Sequence, residues 1–142
     1  MTRILVIANE TIESSILHET ILARAGAEVL IVAPALNSRL RHWLSDDTEA
    51  RRAAEERLGR SLERLTADGI DASGRIGDAD PLQAIDDALH LFRADEIAIA
   101  THPEGRSNWL ARNLVTRARL RFARPVVHIV VDSARSREYL AA

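Results

Sequence analysis

The fold is decided by residues 77–113, whose sequence is GDADPLQAIDDALHLFRADEIAIATHPEGRSNWLARN. Asp80 precedes Pro81, and proline suits the first position of a helix because its φ is fixed and it has no N–H to leave unpaired. We therefore expect Asp80 to cap a helix. The apolar residues that follow are three and four positions apart, which is typical of a helix with one buried face. They are Leu82, Ile85, Leu89 and Phe92.

A short apolar run at residues 96–100 follows this helix and predicts a buried parallel strand. Ligands of open α/β sheets bind beyond the carboxyl ends of the strands, where helices present free N–H groups. The segment in that place is 101–108, and we expect Ser107 to cap a second helix carrying Leu110, Leu114, Ala118 and Phe122 on its inner face. A helix start that binds nothing would explain Ser107 and Gly105 equally well.

The rest of the chain alternates between strands and helices. Further strands are predicted at residues 4–8, 28–33, 70–76 (weak, at a sheet edge) and 125–131, with helices from Ser14 or Ser15 to Gly26 and from Asp46 or Asp47 to Ala67. Residues 36–47 are predicted to form a short helix or a flap. This order indicates a single α/β domain at residues 1–132, a doubly wound five-stranded parallel sheet with helices on both faces. Residues 133–142 form a polar tail that we expect to fray or to fold as a short helix.

The order and spacing of these features resemble the universal stress protein family. The likeness covers nearly the whole chain, and its first and last strands match residues 3–7 and 124–131. The other residues that carry it are Gly77, Pro81, Ile85, Ala94, Asp95, Thr101, His102, Gly105, Arg106 and Ser107. The resemblance implies a Rossmann-like, adenine nucleotide alpha hydrolase-like fold, a stress-response or regulatory role, and frequent dimers. Some members bind ATP and others do not.

ATP-binding members share a glycine-rich phosphate loop that this chain keeps only in part. Anchored on Gly105, the chain has His102 and Val115 where two glycines belong, while Thr116 keeps the final hydroxyl; Asn9 stands where the family has an acidic residue contacting the nucleoside. The implied ligand is an ATP- or AMP-type nucleotide or another phosphate compound, with Mg²⁺ only as its companion. The implied contacts are Asn9, Val32, Thr101, His102, Gly105, Arg106, Ser107, Asn108 and Thr116. The alternative is a dimeric interaction or regulatory module that does not bind ATP.

Composition argues against several other classes of function. The chain has 142 residues, a net charge of −2, no cysteine and no apolar span of membrane length, so we expect a cytoplasmic protein without nucleic-acid or membrane partners. Its five histidines are scattered without the spacing of a metal site. No Gly-x-Ser-x-Gly elbow is present, so no catalytic residues are assigned, and an enzyme ranks third behind a nucleotide-binding protein and an interaction module.

The final predicted strand indicates a dimer. Residues 126–131 include β-branched side chains on both faces, and as the last strand of a doubly wound sheet they should lie at its edge. An apolar edge strand without Lys or internal Pro invites pairing. We therefore expect a homodimer through this strand, although a tail folded back over the edge would leave a monomer.

Overall fold

The computed structural model of the chain describes residues 2–24, 26–36, 45–103, 113–132 and 137–141. Within these ranges it has six strands and four helices. The strands are β1 (Arg3–Ile7), β2 (Glu28–Leu36), β3 (Asp71–Asp78), β4 (Glu96–Thr101), β5 (Val126–Asp132) and β6 (Arg137–Ala141). The helices are α1 (Ser15–Leu22), α2 (Ser45–Ala67), α3 (Pro81–Leu91) and α4 (Leu114–Arg121). Residues 37–44, part of the predicted flap or helix, lie outside the described ranges.

The strands form one sheet in the order β3-β2-β1-β4-β5-β6, and β1 to β5 run parallel. The predicted doubly wound sheet of five parallel strands is therefore confirmed, with β3 at one edge as expected. The chain runs outward from β1 to β3 and then returns to place β4 on the other side of β1. This reversal makes the carboxyl ends of β1 and β4 the topological switch point.

Helices cover both faces of the sheet. On one face, α1 and α2 bury a cluster that includes Leu17, Ile31 and Leu65; on the other, α3 and α4 bury one that includes Ile85, Ile99 and Leu114. The β1 strand is almost fully buried because both layers cover it. None of the helices in the described part of the chain is long and apolar enough to cross a membrane.

Helix starts follow the local sequence. Asp80 caps α3 by accepting a hydrogen bond from the N–H of Leu82 at 3.1 Å, with Pro81 in the first turn, as predicted. Ser14 caps α1 in the same way through the N–H of Leu17 at 3.2 Å. Side-chain caps of this kind satisfy N–H groups that the helix leaves unpaired.

The sequence analysis missed one strand. Residues 137–141, assigned to the tail, form β6 and pair antiparallel with β5, so that Ile129 lies opposite Leu140. The expectation that β5 is the free edge of the sheet is wrong for this structure, because β5 pairs with β4 on one side and β6 on the other. The tail therefore extends the sheet at that edge.

Candidate functional site

The candidate site lies at the switch point, along the edge where β1 and β4 end side by side. Ile7 pairs with Ile99 between these strands, and the N–H of Ala8 donates to the carbonyl of Val32 at 3.2 Å. The hydroxyl of Thr11, in the loop after β1, donates to the carbonyl of Ala100 at 3.1 Å. These bonds hold the loop after β1 against the end of β4. Asn9, Thr101 and His102 lie on or next to these strand ends, and Val32 pairs with Ile7 from the neighbouring strand β2.

Thr101 ends β4 and turns its hydroxyl inward. It is 2% exposed, and its Oγ1 lies 2.8 Å from Nε2 of His128 on β5. His128 is 8% exposed; burial, and secondarily the charge of Arg119, lower its pKa from the usual value of 6.5. The imidazole of His128 is therefore neutral near pH 7, and its hydrogen bond to Thr101 fixes the position of that side chain at the end of β4. Sequence reasoning missed this partner, because the two residues meet only when β4 and β5 pair.

His102 presents an unexplained polar atom. Its Nε2 lies 3.8 Å from Oε2 of Glu10, and its side chain is 24% exposed. Its Nδ1 is buried and has no hydrogen-bond partner among the residues that the structure describes. Buried polar atoms without partners are uncommon because each loses its bonds to water. The imidazole therefore has one unused hydrogen-bonding position at the switch point.

Asn9 follows β1 and is held from two sides. Its Nδ2 donates to the carbonyl of Pro34 at 3.2 Å, and its Oδ1 accepts from Nη2 of Arg57 at 2.5 Å. Arg57 Nε also donates to the backbone carbonyl of Asn9 at 3.1 Å. Read by charge alone, the α2 sequence predicts that Arg57 belongs to a solvated face of the helix with the neighbouring Arg and Glu residues. Arg57 is three and four positions from the buried residues Ala54 and Ser61. This spacing indicates that Arg57 lies at the border between the buried and the exposed face of α2.

A cavity of about 190 Å³ lies between α3 and the ends of β2 and β3. Its apolar lining includes Val32 and Ala84, and its polar lining includes Asp78 and Asp87. Gly77 belongs to the wall: a Cβ there would lie 2.7 Å from Cγ1 of Val32 and 3.2 Å from Cβ of Ala84. A side chain at this position would therefore crowd the space. Val32 and Ala84 belong to the same core cluster as α4, so the cavity and α4 share one face of the sheet.

A helix that runs unbroken from Ser107 into α4, as the sequence predicts, is ruled out at Asn113. Asn113 has a left-handed φ of 56°, and α4 begins after it at Leu114. Asn113 makes no side-chain capping bond, so it does not protect the first turn of α4. Ser107 therefore cannot cap this helix. Gly105, Arg106, Ser107 and Asn108 lie outside the described residues, as does Trp109.

Two residues of α4 stand at positions of the family's phosphate-loop pattern, and one of them is buried while the other is exposed. Val115, which stands where a glycine belongs, is 7% exposed and packs in the core with Leu114 and Ala118. Thr116 is exposed. In the described part of the chain, no three His, Asp or Glu residues lie together as a metal would need. The group that the described residues leave for a ligand at this edge is Nδ1 of His102.

No family model and no curated protein matches the sequence. Solved structures nevertheless share its fold. A universal stress protein family member from Burkholderia pseudomallei is 16% identical, with a TM-score of 0.64 over 89% of this chain and 94% of that one. A universal stress protein from Archaeoglobus fulgidus is 17% identical, with a TM-score of 0.62 over 90% and 93%.

A third similar structure contains a ligand. It is a universal stress protein family protein from Arabidopsis thaliana with AMP bound, 12% identical, with a TM-score of 0.65 over 96% of each chain. At these identities the likeness is one of fold. The predicted universal stress protein-like fold is therefore confirmed.

Proposed function

We propose that this chain binds an adenine nucleotide of the AMP or ATP type at the switch point, in a regulatory or stress-response role. The observation that carries the proposal is the buried Nδ1 of His102, which has no hydrogen-bond partner in the described part of the chain. A phosphate or hydroxyl oxygen of a ligand at this edge would supply one. The AMP in the Arabidopsis thaliana structure of the same fold supports this chemistry.

The proposed ligand lies along the edge from β4 to β3. Its phosphate lies near His102 and the first turn of α4, where helix N–H groups and the helix dipole favour an anion. Its base enters the cavity beside Val32, on the same face of the sheet as α4. Adjacent strands are about 4.8 Å apart, so β4 and β2 are separated by roughly 10 Å. A nucleotide lying across β1 fits that separation.

An interaction module without a nucleotide is the second candidate. Two observations favour it: the Asn9 amide already has partners on both sides, and Val115 is buried in the core. Neither residue then serves a ligand as the family pattern implies. In this case the fold and its surfaces, rather than a nucleotide site, would carry the function.

Calorimetric titration with ATP, ADP and AMP tests the proposal. We expect saturable binding that His102→Ala weakens roughly 5- to 10-fold, since a lost hydrogen bond contributes about 1 kcal/mol. His90→Ala is the matched control, because His90 is an exposed histidine on α3 and should leave affinity unchanged. Absence of heat and of any thermal shift at millimolar nucleotide would reject nucleotide binding and favour the interaction module.

A further inference from the structure

Arg57 reaches the carboxyl end of β1 from the middle of α2. It is half-buried, and two of its nitrogens bond to the two oxygens of Asn9, the backbone carbonyl and Oδ1. The Asn9 amide cannot turn over, because its Nδ2 already donates to the carbonyl of Pro34. A flipped amide would set its NH₂ against the guanidinium and its oxygen against that carbonyl. The guanidinium is therefore fixed in place by β1, β2 and α2 together.

Among the described residues, no carboxylate forms an ion pair with Arg57. Both oxygens that it contacts are uncharged, and within the described ranges it takes part in no ion pair of the kind that Arg60 makes with Glu13. Arg60 binds both oxygens of Glu13, at 2.6 and 3.2 Å. Arg57 and Arg64 add their charges near that same carboxylate, and all three cations lower its pKa. Arg57 therefore brings to the end of β1 a positive charge that makes no direct ion pair with a carboxylate of the described residues.

The strand order decides which part of the proposed ligand faces Arg57. In the sheet, β1 lies between β4, at the phosphate end, and β2, at the base end. The sugar of a nucleotide bound along this edge therefore lies over the end of β1, next to Asn9 and Arg57. In open α/β sheets an acidic residue near the sugar suits ribose hydroxyls, whereas an Arg suits a phosphate on the ribose.

We propose that Arg57 makes this edge selective for a nucleotide whose ribose carries a second phosphate, as in adenosine 2′,5′- or 3′,5′-bisphosphate. The inference rests on the proposed function and specifies its ligand class. Nη1 of Arg57 makes no hydrogen bond to a described residue, and one N–H of Nη2 remains for a ligand after the bond to Asn9. A guanidinium offers a phosphate two parallel hydrogen bonds, which are stronger because both partners are charged.

The test is the ratio of affinities for the bisphosphates and for AMP, measured by calorimetry at about 0.15 M salt, at which free surface charges are screened within about 8 Å. We expect the wild type to bind one bisphosphate at least roughly 10-fold more tightly than AMP. Arg57→Gln should bring the ratio close to one. Asn9→Asp should do so too while keeping the Arg, because the new carboxylate would neutralise the guanidinium. Arg60→Gln, on the same helix and with the same change in charge, is the matched control and should keep the ratio.

The outcomes separate this inference from the proposed function. AMP binding without preference for either bisphosphate, or a preference that survives both Arg57→Gln and Asn9→Asp, would overturn the role of Arg57 alone. Failure of all three nucleotides to bind at millimolar concentration would overturn both. Thermal melts of each variant show whether it is folded. If Arg57→Gln does not fold, Asn9→Asp still decides whether Arg57 sets the preference for a bisphosphate.

Discussion

His128 is the buried titratable residue next to the candidate site, and its environment makes stability depend on pH. Burial on the α4 face disfavours the imidazolium, so its pKa in the folded chain lies below 6.5. In the unfolded chain the histidine takes up a proton near pH 6.5. The unfolded state therefore binds more protons as pH falls. The contribution of His128 to stability is fully present above that pH and is lost as pH falls toward the folded pKa.

We expect His128→Gln, which keeps a polar partner for Thr101, to remove this pH dependence. The free energy of unfolding of the wild type relative to the variant should be constant above pH 7. It should then fall below pH 6.5 by at most about 1.4 kcal/mol per pH unit. Urea denaturation from pH 5 to 8 measures it, and His90→Gln controls for the substitution of an exposed histidine. A wild-type advantage that stays constant across this range would contradict the account.

At this scale, the sequence predicted strand-end positions better than side-chain partners. Asn9 and His102 could be placed at the carboxyl edge because the end of a strand can be read from where its apolar run stops. The partnerships of Arg57 with Asn9 and of Thr101 with His128 join residues 48 and 27 positions apart. Such pairs depend on how helices pack on the sheet and on which strands pair. Periodicity in one segment carries no information about either.

Among the elements, α2 contains one glycine that neither packing nor backbone conformation requires, and it is followed by a second glycine that the backbone conformation does require. Gly59 lies inside the helix with nothing within 4 Å of where a Cβ would be. Gly69 has a φ of +83° in the turn after the helix, where the N–H of Ile70 donates to the carbonyl of Leu65 at 2.9 Å. That bond and that φ are typical of a helix that ends at a residue in the left-handed conformation, a position that favours glycine.

We expect alanine to have opposite effects at these two positions. Gly59→Ala should raise the free energy of unfolding by roughly 0.5–1 kcal/mol, because alanine loses less backbone entropy in a helix. Gly69→Ala should lower it by about 1–2 kcal/mol, because a Cβ strains the left-handed conformation. Each variant serves as the other's control in the same denaturation series. Equal effects of the same sign would contradict the position of Gly59 inside α2 or the positive φ of Gly69 after it.

The helix after β4 shows that the spacing of apolar residues does not fix where a helix begins. Leu114, Ala118 and Phe122 are buried as their spacing predicted. The same spacing extended back to Leu110 predicted one continuous helix from Ser107, which is wrong because Asn113 is left-handed. Asparagine adopts this conformation more readily than most residues. A period of three to four residues cannot reveal a single residue of opposite hand, so the start of α4 was misplaced.

For the whole molecule, β6 changes what a dimer through residues 126–131 would require. That homodimer remains a prediction, and its premise was an uncovered β5. In this structure β6 runs antiparallel along β5 with five residue pairs, which is the arrangement that a partner's β5 would otherwise make. The tail was missed because its composition is polar, and pairing across the sheet, rather than apolar periodicity, forms the strand. Direct pairing of two β5 strands therefore needs β6 to leave.

We expect a chain ended at Asp132 to self-associate at least tenfold more tightly than the full chain. Its β5 would expose unpaired N–H and C=O groups on an apolar strand, and these favour pairing with another copy. Sedimentation equilibrium of the two chains measures the difference. Leu140→Pro, which disturbs β6 without shortening the chain, should act in the same direction. Equal or weaker association of the shortened chain would show that β5 is not a pairing edge.

The central claim is that a nucleotide binds along the edge from β4 to β3. The most direct measurement is a titration of ¹⁵N-labelled protein with AMP, followed through the backbone amide resonances. The account predicts saturable shifts concentrated at Thr101, His102, Asn9, Val32 and Gly77, with the amides at the far, amino-terminal ends of the strands unmoved. Saturable shifts confined to another surface, or spectra unchanged at millimolar AMP, would contradict it.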